Sequence, residues 1–236
     1  MFMNFYILTY ILSFASIFIS NKNSGKAEMT NPKHEIRYAA IGDSYTIGEG
    51  AKEPDEAWPT LLTESLNRDG LNIHLVANPS KTGWTTKDVI DKELPVYDQS
   101  NPDFATLLIG VNDWVQGVDA ATFHDNLNFI LDHMLSRLQN KKNLVLVTIP
   151  DFSVTPSGAQ YAYGRDINKG LTDFNEIIKQ EGKKRNLEVV DIFPVSLEMK
   201  DHPELIAADG LHPSAKEYAI WEKLIYPIAK NVLSGR

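Results

Sequence analysis

From residue 36 onward, short apolar runs alternate with longer stretches of helical period, and this alternation predicts most of the architecture. Residues 36–42, IRYAAIG, are apolar and partly β-branched, which marks a buried strand ended by Gly42. Further strands are predicted over 72–77, 103–109, 143–149 and 187–192. The third is nearly all apolar, as a central parallel strand should be, and the fourth has LVLV at its centre. Helices are predicted over 57–67, from a Thr85 or Thr86 cap through Val89, Ile90 and Leu94 to a stop at Pro95, over 120–138, and over 167–184. In the 120–138 segment Phe123, Leu127, Ile130, Leu131, Met134, Leu135 and Leu138 recur at the spacing of one helix face. A last helix runs from 214 to about 233 and opens with Ser214-Ala-Lys-Glu217, a capping-box pattern. Two long connections, 150–164 and 193–213, carry no such period.

Five strands alternating with helices predict an α/β domain with a parallel sheet, helices on both faces and right-handed crossovers. The 236 residues suffice for one such core, and no internal repeat or low-complexity segment interrupts them. Hydrophobic content of 43% and charged content of 23% are ordinary for a soluble globular chain. A net charge of −8, with no Lys/Arg cluster, argues against nucleic acid or an anionic membrane surface as partner. No obligatory protein partner is evident. The absence of cysteine rules out disulfides, a cysteine nucleophile and thiolate metal sites.

The N-terminus differs from the rest. Residues 5–19 are an apolar run broken only by Thr9, Ser13 and Ser16. That is short for a membrane span, which wants about 20 residues, and it suits the apolar region of a secretory signal cleaved after Ala27. No Lys or Arg precedes Lys22, unlike an ordinary signal. Residues 1–28 are therefore read as a signal segment and 29–236 as the working domain. The expected location is periplasmic or secreted, or cytoplasmic if Met29 is the true start. An uncleaved anchor is the other alternative.

Chemistry gathers where the strands end. Ser44 follows the first strand, Gly83 the second and Asn112 the third, while Asp209 and His212 lie in the last loop after the fifth. In a parallel sheet these ends share one edge, where α/β folds form their ligand crevice. A hydroxyl, a glycine amide, a carboxamide and an Asp/His pair are the inventory of acyl transfer. Ser44 would attack, and His212 would take its proton and pass it to the leaving group. Asp209, three residues before His212, would fix the tautomer. The amides of Ser44 and Gly83 and the Asn112 side chain would receive the oxyanion. Gly83 suits that role because a missing Cβ lets its backbone approach closely. Asp43 and Asp113 read as turn-shaping residues, and the other five histidines as solvated or structural. Trp58, Trp84 and Trp114 read as packing. The loops 49–58 and 150–166 are expected to shape the pockets.

These blocks, GDSY at 42–45, NPSKTGW at 78–84, GVND at 110–113 and DGLH at 209–212, resemble those of the SGNH (GDSL-type) hydrolases. The resemblance covers about residues 36–234. It implies a flavodoxin-like three-layer α/β/α sandwich with strand order 2-1-3-4-5, and ester hydrolysis without metal or other cofactor. By that likeness Ser44 is nucleophile and first oxyanion donor, Gly83 and Asn112 complete the hole, His212 is the base and Asp209 its partner. Two departures are Tyr45, where the family motif has leucine, and the N-P-S-K-T-G spacing before Gly83. The expected substrate is a small carboxylic ester, with lysophospholipids and acetylated carbohydrates as alternatives. A non-catalytic flavodoxin-like module holding a phosphate is the competing class. Against it, both phosphate-loop fingerprints are absent, and Asp43, Glu49, Glu53, Asp55 and Glu56 crowd the first loop with negative charge.

Overall fold

The computed structural model describes residues 35–235, so the expected export segment at 1–28 lies outside the described residues. Five strands form one sheet: β1 (Ile36–Gly42), β2 (Ile73–Ala77), β3 (Phe104–Leu108), β4 (Leu144–Val147) and β5 (Glu188–Val190). Every pairing is parallel and the order is β2-β1-β3-β4-β5. The elements between them are α1 (Ser44–Ile47), α2 (Trp58–Arg68), α3 (Thr86–Asp88), α4 (Leu94–Ser100), α5 (Val111–Val115), α6 (Ala120–Arg137), α7 (Ile167–Arg185), α8 (Phe193–Ser196) and α9 (Ala215–Ser234). The result is the flavodoxin-like three-layer sandwich, with α2 and α9 packed together and α4, α6 and α7 side by side.

The strand order decides where a ligand can enter. From β1 the chain steps outward to β2, then jumps back past β1 to β3 and continues to β5. Right-handed crossovers in opposite directions lie on opposite faces. The connections leaving β1 and β3 therefore diverge and open a crevice at their carboxyl ends. Ser44 and Asn112 stand at those two ends. The core beneath is the apolar face read from the sequence: Phe123, Leu127, Ile130, Leu131 and Met134 are at most 1% exposed. Each such side chain contributes about 1.5–3 kcal/mol by leaving water.

Three local expectations need correction. Pro95 does not stop a helix. Thr85 caps α3, its backbone and side chain reciprocally bonded to Asp88, and a π-helical turn over Val89–Glu93 leads directly into α4. Pro95 is the second residue of α4, following a turn whose pattern has already widened, so its missing N–H breaks no regular ladder. The 193–213 connection is not plain loop. It holds α8 and two 3₁₀ turns, Leu197–Lys200 and Pro203–Leu205. The capping box at Ser214 does not form either. Ser214 Oγ donates to the Glu204 carbonyl at 2.8 Å, and Glu217 Oε1 accepts Trp221 Nε1 at 2.7 Å inside the core. Tertiary partners outcompete the local pairing.

Candidate active site

The turn carrying Ser44 is built by its neighbours. A Cβ on Gly42 would stand 2.2 Å from both the Leu108 carbonyl oxygen and Thr46 Oγ1, so only glycine lets β1 end this close to β3. Asp43 is fully buried and its Oδ1 accepts the Tyr45 amide at 3.1 Å, capping α1. It shapes the turn, as the sequence suggests. Ser44 is the first residue of α1, and α1 closes at Gly48 in the left-handed region. Asp113 is likewise structural: it accepts the Thr86 amide at 2.9 Å and bonds Thr86 Oγ1, tying α5 to the start of α3.

His212 arrives from the far edge of the sheet. The strand-like bridge between Ile206 and Pro213 and the bond from Ala207 N to His212 O at 2.8 Å fold residues 206–213 into a hairpin-like loop. Gly210, at φ 72°, makes its reverse turn. His212 Nδ1 lies 2.6 Å from Asp209 Oδ2, and Asp209 Oδ1 accepts the amides of Leu211 at 2.8 Å and His212 at 3.0 Å. Burial alone would raise the Asp209 carboxyl. The His212 imidazole and those amides outweigh it and hold the carboxyl below its usual range. Tyr45 braces the imidazole edge-on, with ring centres 5.9 Å apart, and Trp221 braces Tyr45 at 5.8 Å.

Asn112 lies in the first turn of α5, and its Nδ2 donates to the Trp84 carbonyl at 2.9 Å. Ser44, Asn112 and His212 together line one cleft, walled by Tyr45, Val111, Val115, Phe152, Tyr161 and Leu211. Gly83 is not among the residues lining it. The structure puts Gly83 in the left-handed region at φ 83°, with open space where a Cβ would be, and its carbonyl accepts Gln116 Nε2 at 3.0 Å. Glycine suits that backbone angle.

Of the two loops expected to shape the pockets, the second supplies Phe152 and Tyr161. The first supplies none of the cleft; Gly50, Lys52 and Glu56 line a separate groove beside Glu204 and Lys216. Trp58 is buried, and Trp114 is held between Phe152 and Arg165, so both act as packing. His124 meets Glu181, His133 meets Asp98 and His202 meets Glu204, which are structural or solvated contacts. Sequence reasoning passed over Glu93, which is fully buried with Oε2 accepting the Gly42 amide at 3.1 Å. Its only sequence signal is a charged residue on the inward face shared with Val89 and Tyr97. Among the described residues, no helix is long and apolar enough to cross a membrane.

Comparison with known proteins bears on this arrangement. An arylesterase of Vibrio mimicus is 27% identical over 176 residues, covering 73% of this chain and 78% of its own. Two solved structures share the fold. A Clostridium thermocellum family 3 carbohydrate esterase superposes with a TM-score of 0.66 at 22% identity, covering 86% of this chain and 98% of that one. A lipase/acylhydrolase from Enterococcus faecalis gives 0.65 at 23% identity, covering 83% and 96%. The model of the GDSL-like lipase/acylhydrolase family matches residues 40–220, from within β1 into α9. That span takes in four of the five strands whole and every residue that lines the cleft, and the chain therefore belongs to the GDSL-like lipase/acylhydrolase family.

Proposed function

We propose that this protein is a serine esterase that hydrolyses small carboxylic esters through an acyl-enzyme on Ser44. The observation that carries the reading is the 2.6 Å contact of His212 Nδ1 with Asp209 in a cleft that Ser44 and Asn112 also line. With Nδ1 engaged, Nε2 is the nitrogen available for the substrate side. Ser44 Oγ attacks the ester carbon as Nε2 takes its proton, and the carbonyl oxygen becomes the oxyanion. The Ser44 and Gly83 amides and the second hydrogen of Asn112 Nδ2 receive that charge. Collapse expels the alkoxide, which takes the proton from Nε2. Water then repeats the sequence on the acyl-enzyme and frees the acid. Asp209 stays ionised throughout and stabilises the imidazolium.

Val111, Val115, Phe152 and Leu211 give the cleft an apolar wall. That favours a short acyl chain or an aryl group there over a sugar hydroxyl, which would need polar partners. Short-chain acyl esters are thus the first substrates to test, and the arylesterase relative points the same way. The test is labelling with a fluorophosphonate alongside hydrolysis of p-nitrophenyl esters of increasing length. Wild type should label and turn over the short esters, and Ser44→Ala should do neither while unfolding at a similar temperature. Turnover by Ser44→Ala at more than a few per cent of wild type would place the nucleophile elsewhere.

A further inference from the structure

A carboxyl without exposed surface lies beneath the nucleophile turn. Glu93 ends the π-helical turn Val89–Glu93, in which Leu94 N donates to Val89 O, five residues back. Such turns are rare and concentrate at functional sites. The side chain crosses to β1 and accepts the amide of Gly42, two residues before Ser44. Ser80 and Asp43 both act on this carboxyl, Thr46 lies beside Gly42, and Asn78 bonds Thr46; Asp43 Oδ2, Thr46 Oγ1 and Asn78 Oδ1 are buried with no geometric hydrogen-bond partner among the described residues. Asn78 Nδ2 holds the Thr46 carbonyl at 3.0 Å, and a strand-like bridge joins Asp43 to Lys81. The end of β1, the Ser44 turn and the 78–81 loop leading to Gly83 thus meet over one carboxyl. A leucine at 93 would fill the core without burying another polar group.

The electrostatics fit a protonated acid. Burial pushes the Glu93 carboxyl up to about 9, and the charges of Asp43 and Asp88 add to it, against the Gly42 amide and Ser80. Burial raises Asp43 as well, with Asp113 facing it from α5. On α6, which also packs against this turn, His124, Asp132, His133 and Arg137 have partners elsewhere. A neutral carboxyl can accept from Gly42 on one oxygen and donate from the other, which a carboxylate cannot do.

We propose that Glu93 is a positioning residue for Ser44: its carboxyl ties the Gly42 amide and the polar cluster of Asp43, Thr46, Asn78 and Ser80 into one rigid mount for the nucleophile turn. This rests on Ser44 being the nucleophile. The test compares wild type, Glu93→Gln, Glu93→Leu and Ser44→Ala with p-nitrophenyl acetate, well below each unfolding midpoint. Glu93→Leu should lose about 10- to 100-fold in kcat with KM nearly unchanged, because a small misplacement of the attacking oxygen is costly. Glu93→Gln, neutral and of the same shape, should stay within about 3-fold of wild type. Wild-type kcat should fall as pH rises through about 9, and Glu93→Gln should lack that fall. Glu93→Leu with normal kcat and only a shifted midpoint would overturn the proposal, as would Glu93→Gln as impaired as Glu93→Leu. If Glu93→Leu does not fold, the alkaline profile decides: an identical fall in Glu93→Gln overturns it. Ser44→Ala keeps the two readings apart. Should it turn over like wild type, the nucleophile reading fails and this one with it; should it be inactive while Glu93→Leu is normal, only this one fails.

Discussion

Replacing Asn112 with alanine separates two uses of one carboxamide. Nδ2 carries two hydrogens; one goes to the Trp84 carbonyl at 2.9 Å, leaving the other for the cleft that Asn112 lines. Losing the Trp84 bond is a matter of stability. A partly buried bond contributes about 0.5–1.5 kcal/mol, which lowers the unfolding midpoint of a domain this size by about 1–6 °C. Against a total stability of about 5–15 kcal/mol, that leaves essentially every molecule folded at 25 °C, so kcat would not register it. Losing the second hydrogen is a matter of chemistry. In the proposed mechanism the oxygen it would serve is fully negative only in the transition state, so the barrier should rise more than ground-state binding weakens. The expected loss is about 10²–10³ in kcat, or about 2.7–4 kcal/mol, with KM little changed. Asn112→Asp should be at least as damaging, since a carboxylate has no N–H to donate and sets a negative charge against both the oxyanion and the Trp84 carbonyl. The assay is kcat and KM with p-nitrophenyl acetate, beside thermal unfolding of both variants. Near-normal kcat with a clearly lowered midpoint would leave Asn112 only its bond to Trp84 and refute the oxyanion role.

Asp209→Asn should keep the loop's backbone bonds but set an NH₂ group against His212 Nδ1, favouring the wrong tautomer; kcat should fall about 10³–10⁴-fold, and retention of a tenth of the activity would contradict the pairing. Gly170→Ala would place a Cβ 1.7 Å from Trp114 Nε1, so α7 or Trp114 must shift, and the midpoint should drop by about 2–12 °C; an unchanged midpoint would show that Trp114 moves aside freely. Stability should be greatest in acid and decline as pH rises from about 5 to 9. Burial raises Glu217 to about 7, Asp43 to about 8 and Glu93 to about 9, so these acids keep their protons when folded and lose them when unfolded. Their contribution is complete below the unfolded carboxyl values near ~4 and is lost as pH climbs through the folded ones. Asp209, held low, acts oppositely and loses its contribution as pH falls through its folded value. Midpoints measured from pH 5 to 9 check this, with Glu217→Gln expected to make the fall between pH 5 and 7 shallower; a midpoint rising across pH 5 to 9 would refute it.

What the sequence by itself determined is what short-range physics encodes. Side-chain period separates β1 from α2 and α6 from β4, because alternation and the 3.6-residue repeat are properties of a few neighbouring residues. Gly42-Asp43-Ser44 after an apolar run, Asn112 after another, and Asp209 three before His212 are likewise local and were legible as candidate chemistry. Asp209 reaching His212 follows from chain geometry alone.

Bringing His212 to Ser44 is different, since β5 is the far edge strand, with β4 and β3 between it and β1. The 193–213 connection crosses that distance, and α9, which follows it, packs on α2 and anchors its end. It is held there by Tyr218 donating to the Glu49 carbonyl at 2.7 Å and by the close fit of Gly50 against His212 and Pro213. The same holds for Phe152 and Tyr161, which reach the cleft from a connection without periodicity, and for Glu93, whose partner Gly42 is 51 positions away. Ser214 and Glu217 show the reverse case: a correct local pattern gave way because Glu204 and Trp221, set beside them by the fold, were better partners. Local signals name the parts. Their convergence is set by strand order and by aperiodic loops, whose contacts span distances along the chain that no local period records.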